Sequence, residues 1–189
     1  MALSFCKVET PDDVVRLAAM ADEIWHEYWP ERIGLAQTDY MVEQFQSADA
    51  IAHDIAEHGY RYWILIDDEG REVGYTGGAP QQLTGNEQAD AWMHHSAVVD
   101  ERWPKRFFIS KIYLYASERG KHYASETLAF YEQICKDEGF PIMYLTVNRE
   151  NDLGVRAYLG RGFEIVESVD NAIGEGFTMY DYIMVKEIA

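Results

Sequence analysis

The sequence predicts an α/β fold, and three observations predict it. Segments of helical and of strand period alternate along the 189 residues. Ile142 to Val147 is almost continuously apolar, as expected of a central strand covered on both faces. Phe107 to Tyr115 has strand character and leads through a short turn into the helical stripe Ala124, Thr127, Leu128, Tyr131, Ile134 and Cys135, which Gly139 and Pro141 terminate. With 48% apolar residues, a chain of this length buries one substantial core, so a single domain over residues 1–189 is expected.

Taken in order, Ser4 to Glu9 alternates and reads as a first strand. Thr10, Pro11 and Asp13 supply an N-cap, a first-turn proline and a capping-box acid. The helix they open carries Val14, Leu17, Ala18, Ala21, Ile24 and Trp25 on one face and ends before Pro30. Between Thr38 and His58, Met41, Val42, Phe45, Ile51 and Ile55 predict one or two further helices, broken near Ser47 to Asp49 and closed by Gly59. Tyr60 to Ile66 and Glu72 to Ala79 form a hairpin about the turn Asp67 to Gly70. Gln81 to Lys105 has no clean period and reads as a long insertion, aromatic for a linker. After the central strand, Asp152 to Leu159 is a short helix, and Phe163 to Ser168 and Thr178 to Lys186 complete the sheet.

Sixteen basic against 33 acidic residues leave a net charge of −17, which repels nucleic acid and anionic membranes and favours a cationic partner such as an amine. An acidic surface also serves solubility alone. The two cysteines, Cys6 and Cys135, have neither metal-ligand spacing nor disulfide-scaffold density, and read as reduced thiols. No stretch approaches the roughly 20 apolar residues that span a bilayer, and Met1 to Thr10 lacks the pattern of a signal peptide. A cytoplasmic protein is expected.

The chemistry concentrates where the helix opens at Arg119-Gly120-Lys121-His122-Tyr123-Ala124. First-turn amides have no intrahelical partner and the helix dipole is positive there, so the backbone itself can bind a diphosphate. Arg119 and Lys121 add positive charge in an otherwise acidic chain. On spacing alone, Arg-Gly-Lys is equally an ordinary turn.

Ile112 to Leu128 resembles the cofactor motif of the GNAT acetyltransferases: a hydrophobic strand ending at Leu114, four residues, Arg119, then Gly120-Lys121-x-Tyr123-Ala124. A second block follows in the family's order: Leu145-Thr146-Val147-Asn148, Asn151, Val155, Ala157-Tyr158 and Gly162-Phe163. The resemblance extends over essentially the whole chain and looks like a bacterial subgroup. It departs from the pattern at His122, where the family usually has glycine, and at Ala116, where proline is common.

The resemblance implies a mixed, mostly antiparallel sheet of about seven strands, open in a V between the fourth and fifth and flanked by about four helices. It implies acetyl-CoA, or another acyl-CoA, as cosubstrate and no metal. Pantetheine would pair with the fourth strand near Tyr113, Leu114 and Tyr115, an N–H at or beside Tyr113 polarising the thioester. The diphosphate would meet Arg119 to Ala124, with Asn148 and Asn151 supporting the cofactor; helix capping is the plainer role of Asn151. Tyr158 is the implied general acid for the departing thiolate, against simple packing beside Phe163. The implied acceptor is a primary amine of a small molecule, attacking directly in a ternary complex.

Many relatives carry a carboxylate where this chain has Ser110 and Lys111, so the base is unassigned; Glu27, His26, His94 and His95 are replacements to weigh. Adjacent His94 and His95 diverge on a strand and do not make a metal site. Trp25, Tyr28, Tyr40, Trp92 and Trp103 could line the acceptor pocket between the helical arm and the insertion, although the helical spacing of Trp25 and Tyr40 suits the core as well. The missing carboxylate keeps open a second reading, an acyl-CoA sensor or a degenerate domain without turnover. A nucleotide-binding domain is disfavoured, since the multi-glycine loop and the Gly-Lys-Ser/Thr ending are both lacking. Homodimerisation stays open, dimers being common in families that resemble this one.

Overall fold

The computed structural model describes residues 3–93 and 96–189. Seven strands form one mixed sheet in the order β1-β2-β3-β4-β5-β7-β6, and the chain divides into two compact units, residues 1–78 with 111–127 and residues 79–110 with 128–189.

The first unit begins with β1 (Ser4–Lys7) and α1 (Pro11–Tyr28). The capping box forms as expected: the Asp13 N–H donates to Thr10 Oγ1 at 3.2 Å, and Asp13 Oδ2 accepts the Thr10 N–H at 3.0 Å. A single turn, α2 (Pro30–Ile33), precedes the arm of α3 (Leu35–Phe45) and α4 (Ala48–His58). Ser47 caps α4, and Gly59 closes it at φ 67°, a left-handed conformation that glycine adopts without steric cost. The hairpin β2 (Arg61–Ile66) and β3 (Glu72–Gln82) runs Arg61↔Gly78 to Ile66↔Glu72, and β1 pairs antiparallel with β2. Leu17, Met20, Ala21 and Ile24 of α1 pack with Ile51 of α4 on Tyr62, Ile64 and Tyr75, which makes this unit's core.

In the second unit the insertion is more ordered than its lack of period suggests. It holds α5 (Glu87–Asp90), one 3₁₀ turn (Ala91–Met93) and α6 (Ala97–Arg102), opened by the side-chain caps Asn86 and Ser96. Residues 94 and 95, the candidate His94 and His95, lie outside the described residues. The chain continues through β4 (Lys105–Leu114), α7 (Tyr123–Glu138), β5 (Ile142–Asn148), α8 (Asp152–Leu159), β6 (Glu164–Gly174) and β7 (Phe177–Glu187). β4 and β5 pair in parallel from Phe107↔Met143 to Ile109↔Leu145, and β5 pairs antiparallel with β7 from Ile142↔Glu187 to Asn148↔Asp181. Phe107 meets Tyr131 of α7 at 5.4 Å and Phe140 at 5.6 Å between ring centroids, so α7 covers one face. On the other face the buried Arg106 donates to Gln81 Oε1 at 2.9 Å and to the Met93 carbonyl at 2.9 Å, which fastens the insertion to the sheet. Among the described residues no helix is long and apolar enough to cross a membrane.

Candidate active site

The first unit contains the segment that links β4 to α7. The Tyr115 N–H still donates to Val73 O at 3.2 Å, as a strand continuing beside β3 would. The Ala116 N–H donates to Glu27 Oε2 at 2.8 Å, and one 3₁₀ turn, Ala116–Glu118, then satisfies Glu118 and Arg119. From Gly120 to Ala124 the accounting changes. None of these five amides donates to any of the described residues, and pairing resumes only where Ser125 and Glu126 donate to the His122 carbonyl at 2.9 and 3.1 Å. Gly120 and His122 hold φ of 78° and 67°, so the loop turns through two left-handed residues before the helix starts. His122 is therefore a side-chain-bearing residue in the conformation for which glycine is suited.

The side chains around this loop are already engaged. The Arg119 guanidinium folds back onto the Leu114 carbonyl, Nη2 at 3.2 Å, and lies 4.4 Å from the centroid of the Tyr28 ring. Lys121 Nζ bonds Glu118 Oε2 at 2.8 Å, which holds that carboxyl below its ordinary range. Tyr123 is buried with Leu65 and Val73, so its backbone rather than its phenol is available. Tyr113 is half-buried, its ring 5.3 Å from Trp25 and 5.4 Å from Tyr75. Tyr115 donates to Glu23 at 2.7 Å, and burial, reinforced by that carboxylate, pushes its phenol up to about 12. Leu114 packs on Leu65 and Val73.

The second unit places Asn148, Asn151 and Tyr158. Asn148 Oδ1 accepts the Glu150 N–H at 3.0 Å, and Asn151 Oδ1 accepts the Gly154 N–H at 3.0 Å as the cap of α8. Tyr158 rests against Phe163 with centroids 5.8 Å apart. Its ring is half-exposed, but burial around the phenol pushes it up to about 12, so the hydroxyl keeps its proton across the physiological range.

The replacement bases are also placed. The Glu27 carboxylate is on the Ala116 amide, and His26 bridges the Asp22 carbonyl and the Asp39 carboxylate, its pKa raised chiefly by the Asp39 bond. Trp25 is core, donating Nε1–H to the Tyr75 hydroxyl at 3.2 Å, which donates in turn to Gln46. Tyr40 is half-buried against Phe45. Among the described residues no cluster of three or more His, Cys, Asp or Glu side chains is arranged to hold a metal ion.

Two ionisable groups escaped sequence reasoning. Lys111 is buried, its Nζ 4.0 Å from Asp54 Oδ2, and desolvation brings it down to about 8. Asp181 is buried on β7, and desolvation pushes it up to about 6. The signal for Asp181 was its phase, since it stands two and four residues before Ile183 and Val185 on an alternating strand.

The fold is shared widely among solved acetyltransferases. The PaiA N-acetyltransferase of Thermoplasma acidophilum, solved in complex with coenzyme A, is similar at a TM-score of 0.69 and 16% identity, over 99% of each chain. AAC(6')-Ib in complex with ribostamycin and coenzyme A is similar at 0.66 and 18% identity, over 99% of this chain and 94% of that one. A putative phosphinothricin N-acetyltransferase is similar at 0.65 and 14% identity, over 100% and 99%. No curated protein matches the sequence. The family model described as "Acetyltransferase (GNAT) family" matches residues 21–163, and the chain belongs to that family.

Proposed function

We propose that the chain is an acetyl-CoA-dependent N-acetyltransferase that acylates a primary amine of a small molecule by direct attack in a ternary complex. The observation that carries this reading is the run of five amides from Gly120 to Ala124, at the start of α7, that have no acceptor among the described residues. A diphosphate would supply acceptors to those donors and a negative charge to the positive end of the helix. The reading does not depend on Arg119 or Lys121 being free, because backbone amides do the binding.

The backbone of Tyr113, Leu114 and Tyr115 holds pantetheine in this reading through groups other than the Tyr115 N–H, which bonds Val73, and an N–H near Tyr113 polarises the thioester carbonyl. Asn148 and Asn151 support the cofactor from the β5–α8 turn. Tyr158 gives its proton to the departing thiolate. A phenol at about 12 stays protonated, so turnover should show no alkaline decline from loss of this acid up to about pH 10. The amine acceptor is supported by the acidic net charge and by the N-acetyltransferases among the structural neighbours. The thiols Cys6 and Cys135, both free, suit a reducing cytoplasm.

Thermal unfolding with and without ligand tests this. Acetyl-CoA at 100 times its Kd should stabilise the fold by about 2.7 kcal/mol, with NAD and ATP giving no comparable shift. Tyr158→Phe should keep that shift and lose about 100-fold in amine-dependent thiol release. Stabilisation by no CoA ester would end the transferase reading. Unchanged turnover in the phenylalanine variant would remove Tyr158 from it.

A further inference from the structure

β7 carries one buried acid. Asp181 is 7% exposed, in phase with the buried Ile183 and Val185. The antiparallel register sets it opposite Asn148 of β5 and Val169 of β6, and paired side chains project from the same face of a sheet. The same face bears Tyr144, paired with Val185, whose hydroxyl donates to Gln81 at 2.7 Å. It also bears Glu167, paired with Ile183, which accepts a hydrogen bond from Ser96 at the start of α6. The insertion is thus fastened to this face as far as the Glu167–Ile183 pair, and Asp181 is the next inward position along β7.

The Asp181 carboxylate is badly provided for. Its Oδ1 is buried with no hydrogen-bond partner among the described residues. The neighbouring cation, Arg149, is committed elsewhere: Nη2 donates to the Val169 carbonyl at 2.8 Å and to the Asp170 carboxylate, and Nε reaches only the main-chain oxygen of Asp181, at 3.5 Å. A buried, unpaired carboxyl oxygen lowers stability, and asparagine or leucine would be cheaper in a purely structural strand. Among the strand residues that flank it, Asn148 is polar and already belongs to the proposed site.

We propose that Asp181 is the acceptor-side base, a buried carboxylate that receives the ammonium of a primary amine and takes its proton. This rests on the transferase reading above. The ammonium gives one proton to Asp181, and the freed lone pair forms the N–C bond at the thioester carbonyl carbon. The C–S bond breaks with its electron pair left on sulfur, Tyr158 protonates that sulfur, and the second proton lost from nitrogen restores the phenol. Asp181 returns its proton to water. Asp181 thereby supplies the carboxylate that Ser110 and Lys111 do not.

The electrostatics suit that role. Desolvation is the larger influence on Asp181 and pushes it up to about 6, with Arg149 pulling the other way. The titratable residues beside it in register or in sequence are Glu167 and Asp170 on β6 and Tyr180 and Tyr182 on β7. At neutral pH Asp181 is therefore ionised but more basic than an exposed aspartate. From the unfolded value near 4 up to about 6 the folded state binds more protons, so Asp181 makes the fold less stable as pH rises through that window. Asp181→Asn should lack this decline and melt higher than the native chain at pH 7.

Two amines separate the outcomes: butylamine, cationic at neutral pH, and trifluoroethylamine, already uncharged there. Asp181→Asn should keep the acetyl-CoA melting shift, lose about 100-fold in butylamine acetylation, and lose far less with trifluoroethylamine. The acid limb of kcat/KM for butylamine, near pH 6 in the native enzyme, should disappear, and Asp181→Glu should restore part of the rate. On the native protein bound to coenzyme A, the carboxyl carbon resonance of Asp181 should titrate near 6 and move when butylamine is added; this measurement decides alone if the variant does not fold or if neither amine turns over. Butylamine turnover within twofold of native, an equal loss with both amines, or a resonance unmoved by butylamine would overturn the assignment. Failure of every CoA ester to stabilise the native chain would instead remove the transferase reading beneath it.

Discussion

His122 holds φ at 67°, where an L-residue pays a steric penalty of about 1–2 kcal/mol and glycine pays none. Replacing it with glycine relieves that strain but adds unfolded-state entropy of about 0.5–1 kcal/mol, so the two effects nearly offset. His122→Gly should therefore leave the melting temperature within a few degrees of native while leaving the amides of residues 120–124 more accessible and tightening acetyl-CoA binding. His122→Val should lower stability by about 2 kcal/mol, because a β-branched residue is the least tolerant of this conformation. Differential scanning calorimetry with ligand titration reads both, and a valine variant as stable as the native chain would show that residue 122 does not adopt this conformation in solution. The departure from the motif at this position was visible in the sequence as a histidine in a turn suited to glycine. Lys111 and Asp181 were less legible. A single charge inside an apolar strand reads as surface until its phase is counted, and only packing decides whether it is desolvated.

Among the elements, the approach of β3 to the end of β4 is set by a missing side chain. A Cβ on Gly74 would lie 2.1 Å from the Tyr113 carbonyl oxygen and 2.9 Å from Leu114 Cα, both backbone atoms that cannot rotate away. Gly74→Ala must push apart the strand pair that carries the proposed pantetheine contacts. Overpacking of this kind costs about 1–3 kcal/mol, and a backbone clash belongs at the upper end. For a chain of this size that is a fall of roughly 10 °C in melting temperature. Acetyl-CoA should bind more weakly as well, which isothermal titration at a temperature below the transition would detect; native affinity in a destabilised Gly74→Ala variant would detach Tyr113 to Tyr115 from the cofactor. Elements with strong end signals were legible: Thr10 with Asp13, Ser47 with Gly59, and Asn151 all bound helices where expected. The insertion was not. Helices of four and six residues are too short to display a 3.6-residue period, and their caps at Asn86 and Ser96 look like any polar loop.

At the scale of the whole molecule, a net charge of −17 sets a conflict between the two proposed substrates. Acetyl-CoA is a polyanion and must approach through a repulsive field, whereas a cationic amine is drawn in by it. Close to the loop the helix dipole attracts phosphate, but that attraction falls off within about one turn, while the net charge acts over a Debye length of about 30 Å at 0.01 M salt. Arg119 and Lys121 do little to reverse the long-range field, since Lys121 is paired with Glu118 and the carboxylates of Glu23 and Glu27 lie along the same segment. Raising salt to about 0.1 M shortens the screening length to about 10 Å and removes most of the repulsion. Stopped-flow binding should therefore show the acetyl-CoA association rate increasing with salt, while KM for a cationic amine rises over the same range. An association rate that falls with salt would mean that local positive charge at residues 119–124 outweighs the field of the rest of the chain, and the acidic surface would then have no part in selecting the acceptor.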